Sequence, residues 1–144
     1  MNQADSRQLV FVDTSAYFAV ANRRDVSHDV ARIILGELLA RRQKLITTNY
    51  ILAELHALLL ARIDRSVAIR VLHELDTSQI TTIVRVSAED EQRARAIIVQ
   101  YEDKNFSQTD ATCFAVMERL GITQAFSFDH NFAQYGWTLI QAAG

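Results

Sequence analysis

Short runs of apolar and β-branched residues alternate along this 144-residue chain with longer stretches whose apolar positions recur at helical spacing. Residues 9–12 are an unbroken apolar run, too short for a helix, and predict a buried strand followed at once by a short helix over 14–22. Between 25 and 42, Val26, Val30, Ile33, Ile34, Leu38 and Leu39 fall near every 3.6 positions, the pattern of an amphipathic helix. A small strand is expected at 45–47, a strongly apolar helix over 49–63, and a further helix over 64–75. The β-branched stretch 80–86 is the clearest strand. Ser87-Ala-Glu-Asp90 and Ser107-Gln-Thr-Asp110 each have the form of a capping box that opens a helix, and Gly121 closes the second. Strand 125–128, a helical turn over 130–135 and strand 137–140 complete the pattern. It predicts an α/β fold, a three-layer α/β/α sandwich around a central, mainly parallel sheet, in one domain spanning 1–144. In such sheets ligands gather beyond the carboxyl ends of the strands, so polar residues there are the place to seek chemistry.

Composition narrows the function. The four glycines are scattered, which removes the clustered-glycine loops that cradle phosphates, and no nucleotide cofactor is expected. A single cysteine, Cys113, allows neither an internal disulfide nor a zinc cluster, and fits a reducing, cytoplasmic setting. The apolar run from Leu9 to Ala21, with Arg7 before it, has the outline of a signal peptide. Asp13 inside it argues against that, and no run approaches the length needed to span a membrane. The net charge of −2 conceals an asymmetry: the chain up to Leu72 carries +3 and the remainder −5. Thirteen of the 15 basic residues are arginine, the side chain suited to bidentate phosphate contact, although most are expected on ordinary solvated helix faces.

Four acids stand in positions that suggest chemistry. Asp13 ends the first strand, Asp129 ends the strand at 125–128, and Asp110 sits in the first turn of a helix that could face the same rim. Each also has a structural role open to it: helix N-cap for Asp13, strand corner for Asp129, reciprocal capping with Ser107 for Asp110. Glu54 lies in a segment apolar around the whole helix, with no basic residue three or four positions away, and is expected to be buried and in need of a cation. Four carboxylates in one cluster cannot all ionise without a counter-ion, and an all-oxygen donor set points to Mg²⁺ or Mn²⁺. Phosphodiester hydrolysis suits such a site.

The segments Val-Phe-Val-Asp13-Thr-Ser, Thr47-Thr-Asn-Tyr-Ile-Leu-Ala-Glu54, Ser107-Gln-Thr-Asp110-Ala and Phe126-Ser-Phe-Asp129-His-Asn-Phe132 together resemble the PIN-domain ribonucleases, most of all the VapC toxins of bacterial toxin–antitoxin pairs. The resemblance runs from Leu9 to Ile140. It implies a PIN-like α/β/α fold and Mg²⁺- or Mn²⁺-dependent endonuclease activity on RNA. It also implies a homodimer and a cognate antitoxin that docks near the active site. Carried over by position, Asp13 and Asp110 are the expected direct metal ligands, with Glu54 and Asp129 completing the catalytic acidic cluster. Ser15 and Thr109 resemble supporting hydroxyls, and Arg23 and Arg24 are candidates for RNA contact. Asn131 departs from the pattern, because many relatives have His or an acid there.

Other readings fit less well. Acid–base cleavage by His28, His56, His73 and His130 lacks any pairing the sequence reveals, and only His130 neighbours a candidate acid. A phosphatase would want an acid where Ser15 stands, and a receiver-like domain would want a lysine after Asp110. A PIN-fold protein of RNA processing that is not a toxin, or a non-catalytic binding domain, remains as the alternative.

Overall fold

The computed structural model describes residues 9–143; the segment before Leu9, including Arg7, lies outside the described residues. Five strands form one sheet: β1 (Leu9–Val12), β2 (Lys44–Thr48), β3 (Thr81–Val84), β4 (Gln124–Phe126) and β5 (Thr138–Leu139). Their order is β3-β2-β1-β4-β5 and every pairing is parallel. The helices among the described residues are α1 (Thr14–Ala21), α2 (His28–Ala40), α3 (Asn49–Arg62), α4 (Arg65–Thr77), α5 (Ala88–Gln100), α6 (Gln108–Leu120) and α7 (Asn131–Tyr135). The expected α/β sandwich with a parallel sheet is what forms.

The central strand shows why. All four residues of β1 are buried, as a strand covered on both faces must be. Their alternation divides the core. Leu9 and Phe11 pack with Ile46, Ile97, Phe114 and Phe132 on the α5–α6 side, whereas Val10 and Val12 pack with Ala16, Ile34, Leu38 and Phe126 on the α1–α2 side. A third apolar cluster, with Leu55, Leu59, Ala68 and Val71, joins α3 to α4.

Several boundaries are shorter than the apolar pattern suggests, because side chains capture backbone donors at strand ends. The strand expected at 80–86 stops at Val84, and the Val86 N–H donates to Asn49 Oδ1 at 2.8 Å. The strand expected at 125–128 stops at Phe126, since the N–H groups of Phe128 and Asp129 donate to Ser15 Oγ and Ser127 Oγ. The helix expected from residue 25 begins at His28, because Asp25 Oδ1 accepts from the Ser27 N–H and turns the chain first.

The largest correction concerns α3. Its uniformly apolar sequence predicts burial all round, with Glu54 inside. Instead only Ile51, Leu55 and Leu59, one stripe at four-residue spacing, are buried, and Glu54 is exposed. One face of α3 packs on α1 and α4 while the others face solvent, so Glu54 needs no counter-ion on grounds of burial. The helix α2 likewise buries Ile34 and Leu38 but leaves Ile33 and Leu39 about half exposed.

Candidate active site

β1 lies between β2 and β4, so the chain leaves it toward one side of the sheet and returns on the other. This switch in strand order opens a crevice beyond the carboxyl ends of β1 and β4, where doubly wound sheets bind ligands. Asp13 follows β1, and Ser127 and Asp129 follow β4. The Asp13 N–H donates to the Phe126 carbonyl at 3.1 Å, tying the two strand ends together.

Asp13 is only 5% exposed. It is the N-cap of α1, and its Oδ2 accepts from the Ser15 N–H at 3.4 Å, from Ser15 Oγ at 2.7 Å and from Ser127 Oγ at 2.9 Å. The structural and chemical roles of this acid therefore coincide, the cap fixing where the carboxylate points. Burial pushes its pKa up to about 6; the Ser15 and Ser127 hydroxyls oppose the rise and the charge of Asp110 adds to it.

Asp110 closes the capping box that opens α6. Its Oδ2 accepts from the Ser107 N–H at 3.1 Å, and Ser107 Oγ accepts from the Asp110 N–H at 3.0 Å. The same Oδ2 takes a second hydrogen bond, from Asn131 Nδ2 at 3.1 Å. Burial raises the Asp110 pKa, the negative charge of Asp129 pushes the same way, and the Ser107 and Asn131 donors oppose both. Asp129 Oδ1 accepts from the Asn131 N–H at 2.9 Å. Asn131 thus holds two acids at once, Asp110 through its side chain and Asp129 through its backbone.

Glu54 is related to Asp13 and Asp110 through charge and not through contact. The buried Cys113 thiol is raised well above its ordinary value, first by burial and then by the charges of Asp13, Asp110 and Glu54. Glu54 therefore acts on the same region from α3. Among the described residues, no three acidic, His or Cys side chains stand close enough to enclose an ion as they are placed. Nor does any Lys or Arg form an ion pair with Asp13, Glu54, Asp110 or Asp129. Among the described residues Asp13, Asp110 and Asp129 offer hard oxygen donors with no paired Lys or Arg, the donor type that suits Mg²⁺ or Mn²⁺. Asp13 and Asp110 are engaged through Oδ2 and Asp129 through Oδ1.

Of the two expected hydroxyls, Ser15 is hydrogen-bonded to Asp13, whereas Thr109 makes no hydrogen bond with the acids among the described residues. His130 is exposed and its side chain caps nothing. Arg23 and Arg24 lie past the far end of α1, away from Asp13. Sequence reasoning passed over Ser127, which is buried and donates to Asp13 while accepting from the Asp129 N–H. The available signal was a lone hydroxyl between Phe126 and Phe128, two residues before an acid.

A family model described as PIN domain matches residues 10–137. The 23S rRNA-specific endonuclease VapC20 of Mycobacterium tuberculosis is 29% identical over 133 residues, covering 92% of this chain and 98% of that protein. The crystal structure of VapC20, described as a sarcin-ricin loop cleaving toxin, superposes with a TM-score of 0.83 at 31% identity, covering 92% of this chain and 98% of that one. VapBC2 from Rickettsia felis, bound to a DNA fragment from their promoter, gives a TM-score of 0.70 at 15% identity, covering 92% of this chain and 97% of that one. FitAcB from Neisseria gonorrhoeae gives 0.66 at 12% identity, covering 92% and 97%. At such low identities the last two show likeness of fold alone.

Proposed function

The chain belongs to the PIN domain family, and on that premise we propose that it is a divalent-metal-dependent endoribonuclease, the toxin of a VapBC-type pair. The observation that carries this reading is a buried carboxylate, Asp13, at a strand-order crevice, joined there by Asp110 and Asp129 with no Lys or Arg paired to them among the described residues. The activity of VapC20 on 23S rRNA, a protein aligned with 92% of this chain, supports RNA as the substrate.

In this reading Asp13 and Asp110 bind Mg²⁺ or Mn²⁺, with Glu54 and Asp129 completing the set directly or through water. A bound metal would supply positive charge against the phosphate and would bring the pKa of a water it binds down toward neutral pH. The chain's own contribution is positioning. Ser15 and Ser127 hold Asp13 Oδ2, Ser107 and Asn131 hold Asp110 Oδ2, and the Asn131 N–H orients Asp129. These donors favour the ionised carboxylates that burial disfavours. Hydrolysis by a metal-activated water requires no side-chain nucleophile, and the carboxylates serve to bind metal and accept a proton.

The partners proposed are a cognate antitoxin and a second copy of the chain, in the cytoplasm. The outward apolar residues of α2, Val30, Ile33 and Leu39, supply surface for such contacts. Among the described residues no helix is long and apolar enough to cross a membrane.

The test is cleavage of 23S rRNA and of a mixed structured RNA by purified protein with Mg²⁺, with Mn²⁺ and with chelator, beside folded Asp13→Asn and Asp110→Asn variants. Metal-dependent cutting that both variants lose is the expected result. Cutting that survives chelator and both substitutions would overturn the reading.

A further inference from the structure

Away from the acids, four arginines from three parts of the chain converge. Arg23 and Arg24 lie in the turn after α1, Arg62 in the last turn of α3, and Arg70 on α4. Together they line one concavity of about 460 Å³ whose lining contains no carboxylate. All four are exposed, and among the described residues Arg23, Arg24 and Arg62 are in no ion pair. Arg70 has Glu74 at 3.8 Å, but both side chains are more than 60% exposed, so that pair is weak. The acids nearest in sequence are engaged by backbone, Asp25 accepting from the Ser27 N–H at 2.8 Å and Asp64 accepting from the Val67 N–H at 2.8 Å to cap α4. The turn that carries Arg23 and Arg24 is itself held, since the Arg24 N–H donates to Asn22 Oδ1 at 3.1 Å.

Like charges gathered around one concavity repel unless an anion sits among them, and guanidinium groups match the geometry of phosphate oxygens. The place of this pocket relative to the acids follows from two helices. α1 is capped by Asp13 and ends at Ala21, which lines the pocket; α3 carries Glu54 two turns before Arg62. Eight residues separate the acid from the pocket end in each case, about 12 Å of helix. α1 and α3 start from the ends of adjacent strands and pack on one another, so the acid crevice and the arginine pocket lie at opposite ends of the same helix pair. A larger, mostly apolar cavity of about 540 Å³ adjoins the pocket and shares Arg23 and Arg70 with it, which leaves room for a base beside a held phosphate.

We infer that Arg23, Arg24, Arg62 and Arg70 form a distal phosphate site that grips the RNA backbone a few nucleotides away from the bond cut at the acids. The site rests on the ribonuclease reading for the identity of its ligand. Single-stranded or looped RNA is the form whose backbone can bend to reach both places.

The experiment measures binding of a fluorescein-labelled, mixed-sequence single-stranded RNA to the whole protein in chelator, over a range of salt. The Arg62→Gln/Arg70→Gln double variant is expected to bind on the order of ten-fold more weakly, with a log–log salt slope shallower by about 1.4, the value for two lost single-strand phosphate contacts. Arg62→Lys/Arg70→Lys keeps the charge and is expected to retain the slope with a smaller loss of affinity. Arg41→Gln/Arg42→Gln removes equal charge outside the pocket and is expected to leave affinity and slope near wild type. Thermal melting checks that every variant is folded.

Wild-type affinity and slope in the pocket double glutamine variant would overturn the inference, as would an equal loss in the Arg41/Arg42 variant. Stronger binding of a polyglutamate peptide than of RNA at the pocket, lost with Arg62 and Arg70, would overturn it in favour of an acidic protein segment. The two readings fail separately. RNA binding that depends on Arg62 and Arg70 without any cleavage sinks the ribonuclease reading alone, while cleavage with an unaltered salt slope sinks the distal site alone.

Discussion

Asp90 and Asp110 occupy the same place in the same local motif. Each is the third residue of a helix opened by a Ser-x-x-Asp capping box, Ser87 to Asp90 on α5 and Ser107 to Asp110 on α6, with both reciprocal hydrogen bonds formed. Their surroundings send them in opposite directions. Asp90 meets Arg119 in a two-pronged pair, Nε to Oδ1 and Nη2 to Oδ2, both at 2.9 Å, and the guanidinium holds its pKa below the ordinary value. Among the described residues Asp110 pairs with no Lys or Arg; burial and the charge of Asp129 raise its pKa. The same cap serves a structural ion pair in one helix and a candidate metal ligand in the other. What separates them is the charge brought by distant elements, Arg119 from the end of α6 and Asp129 from beyond β4. A capped carboxylate with no paired cation is thus the more informative of the two.

The strongest way to break this comparison is to neutralise each acid. Asp110→Asn should lower RNA cleavage at least 10²-fold, the scale of losing a group that acts on developing charge, with little change in melting temperature. Asp90→Asn should do the reverse: cleavage per folded molecule stays near wild type, while stability falls by about 2 kcal/mol, a value discounted because Arg119 is partly exposed. Denaturant melts beside single-turnover cleavage check both, and equal loss of activity in the two variants would erase the distinction.

Metal removal should follow the same division. Chelator should abolish cleavage and added Mg²⁺ or Mn²⁺ restore it. Binding of the ion should raise the melting temperature of wild type and of Asp90→Asn, but not of Asp110→Asn. Calorimetric scans with and without metal read this directly.

Asp13 gives a pH dependence of opposite sign to that of Asp90. In the folded, metal-free protein Asp13 keeps its proton to about pH 6, whereas in the unfolded chain it ionises near 3.8. Folding therefore takes up a proton between those values, and the contribution of Asp13 to stability falls as pH rises through them, by about 3 kcal/mol in all. Asp90, with its pKa lowered, contributes stability that is present above the ordinary carboxylate pKa and is lost as pH falls through the folded one. Unfolding by urea in chelator from pH 4 to 7 should show the Asp13 loss in wild type and its absence in Asp13→Asn.

A smaller effect sharpens the positioning roles. Ser127→Ala removes one donor to Asp13 Oδ2 and should raise its pKa further, costing about 1 kcal/mol of stability at neutral pH. Metal affinity should fall about 10-fold or more, as for other residues that orient a ligand. The pH midpoint of cleavage should move upward with it, a shift that simple loss of packing would not cause.

Hydrophobic periodicity and local capping rules carried most of the architecture. The buried four-residue β1, the amphipathic α2, both capping boxes and the Gly121 cap, left-handed at φ 69°, follow from side-chain spacing and from rules acting within a few residues. Asp13, Asp110 and Asp129 were legible for the same reason, since an acid at a strand end or in a first helical turn is a local feature. The alternation of strands and helices also placed those ends on one rim.

Other features depended on long-range contacts. Glu54 is exposed because α3 offers a single stripe to its neighbours, and apolar composition does not say which stripe that is. Ser127 reaches Asp13 from more than a hundred residues away, and Asn131 bridges Asp110 and Asp129 across the turn after β4. Arg62 and Arg70 are ordinary helix arginines until the α3–α4 pair brings them beside Arg23. Spacing along the chain specifies which face a residue shares with its near neighbours. Which charges meet, and whether a carboxylate finds a guanidinium or another carboxylate, is decided only when the sheet order sets distant elements side by side.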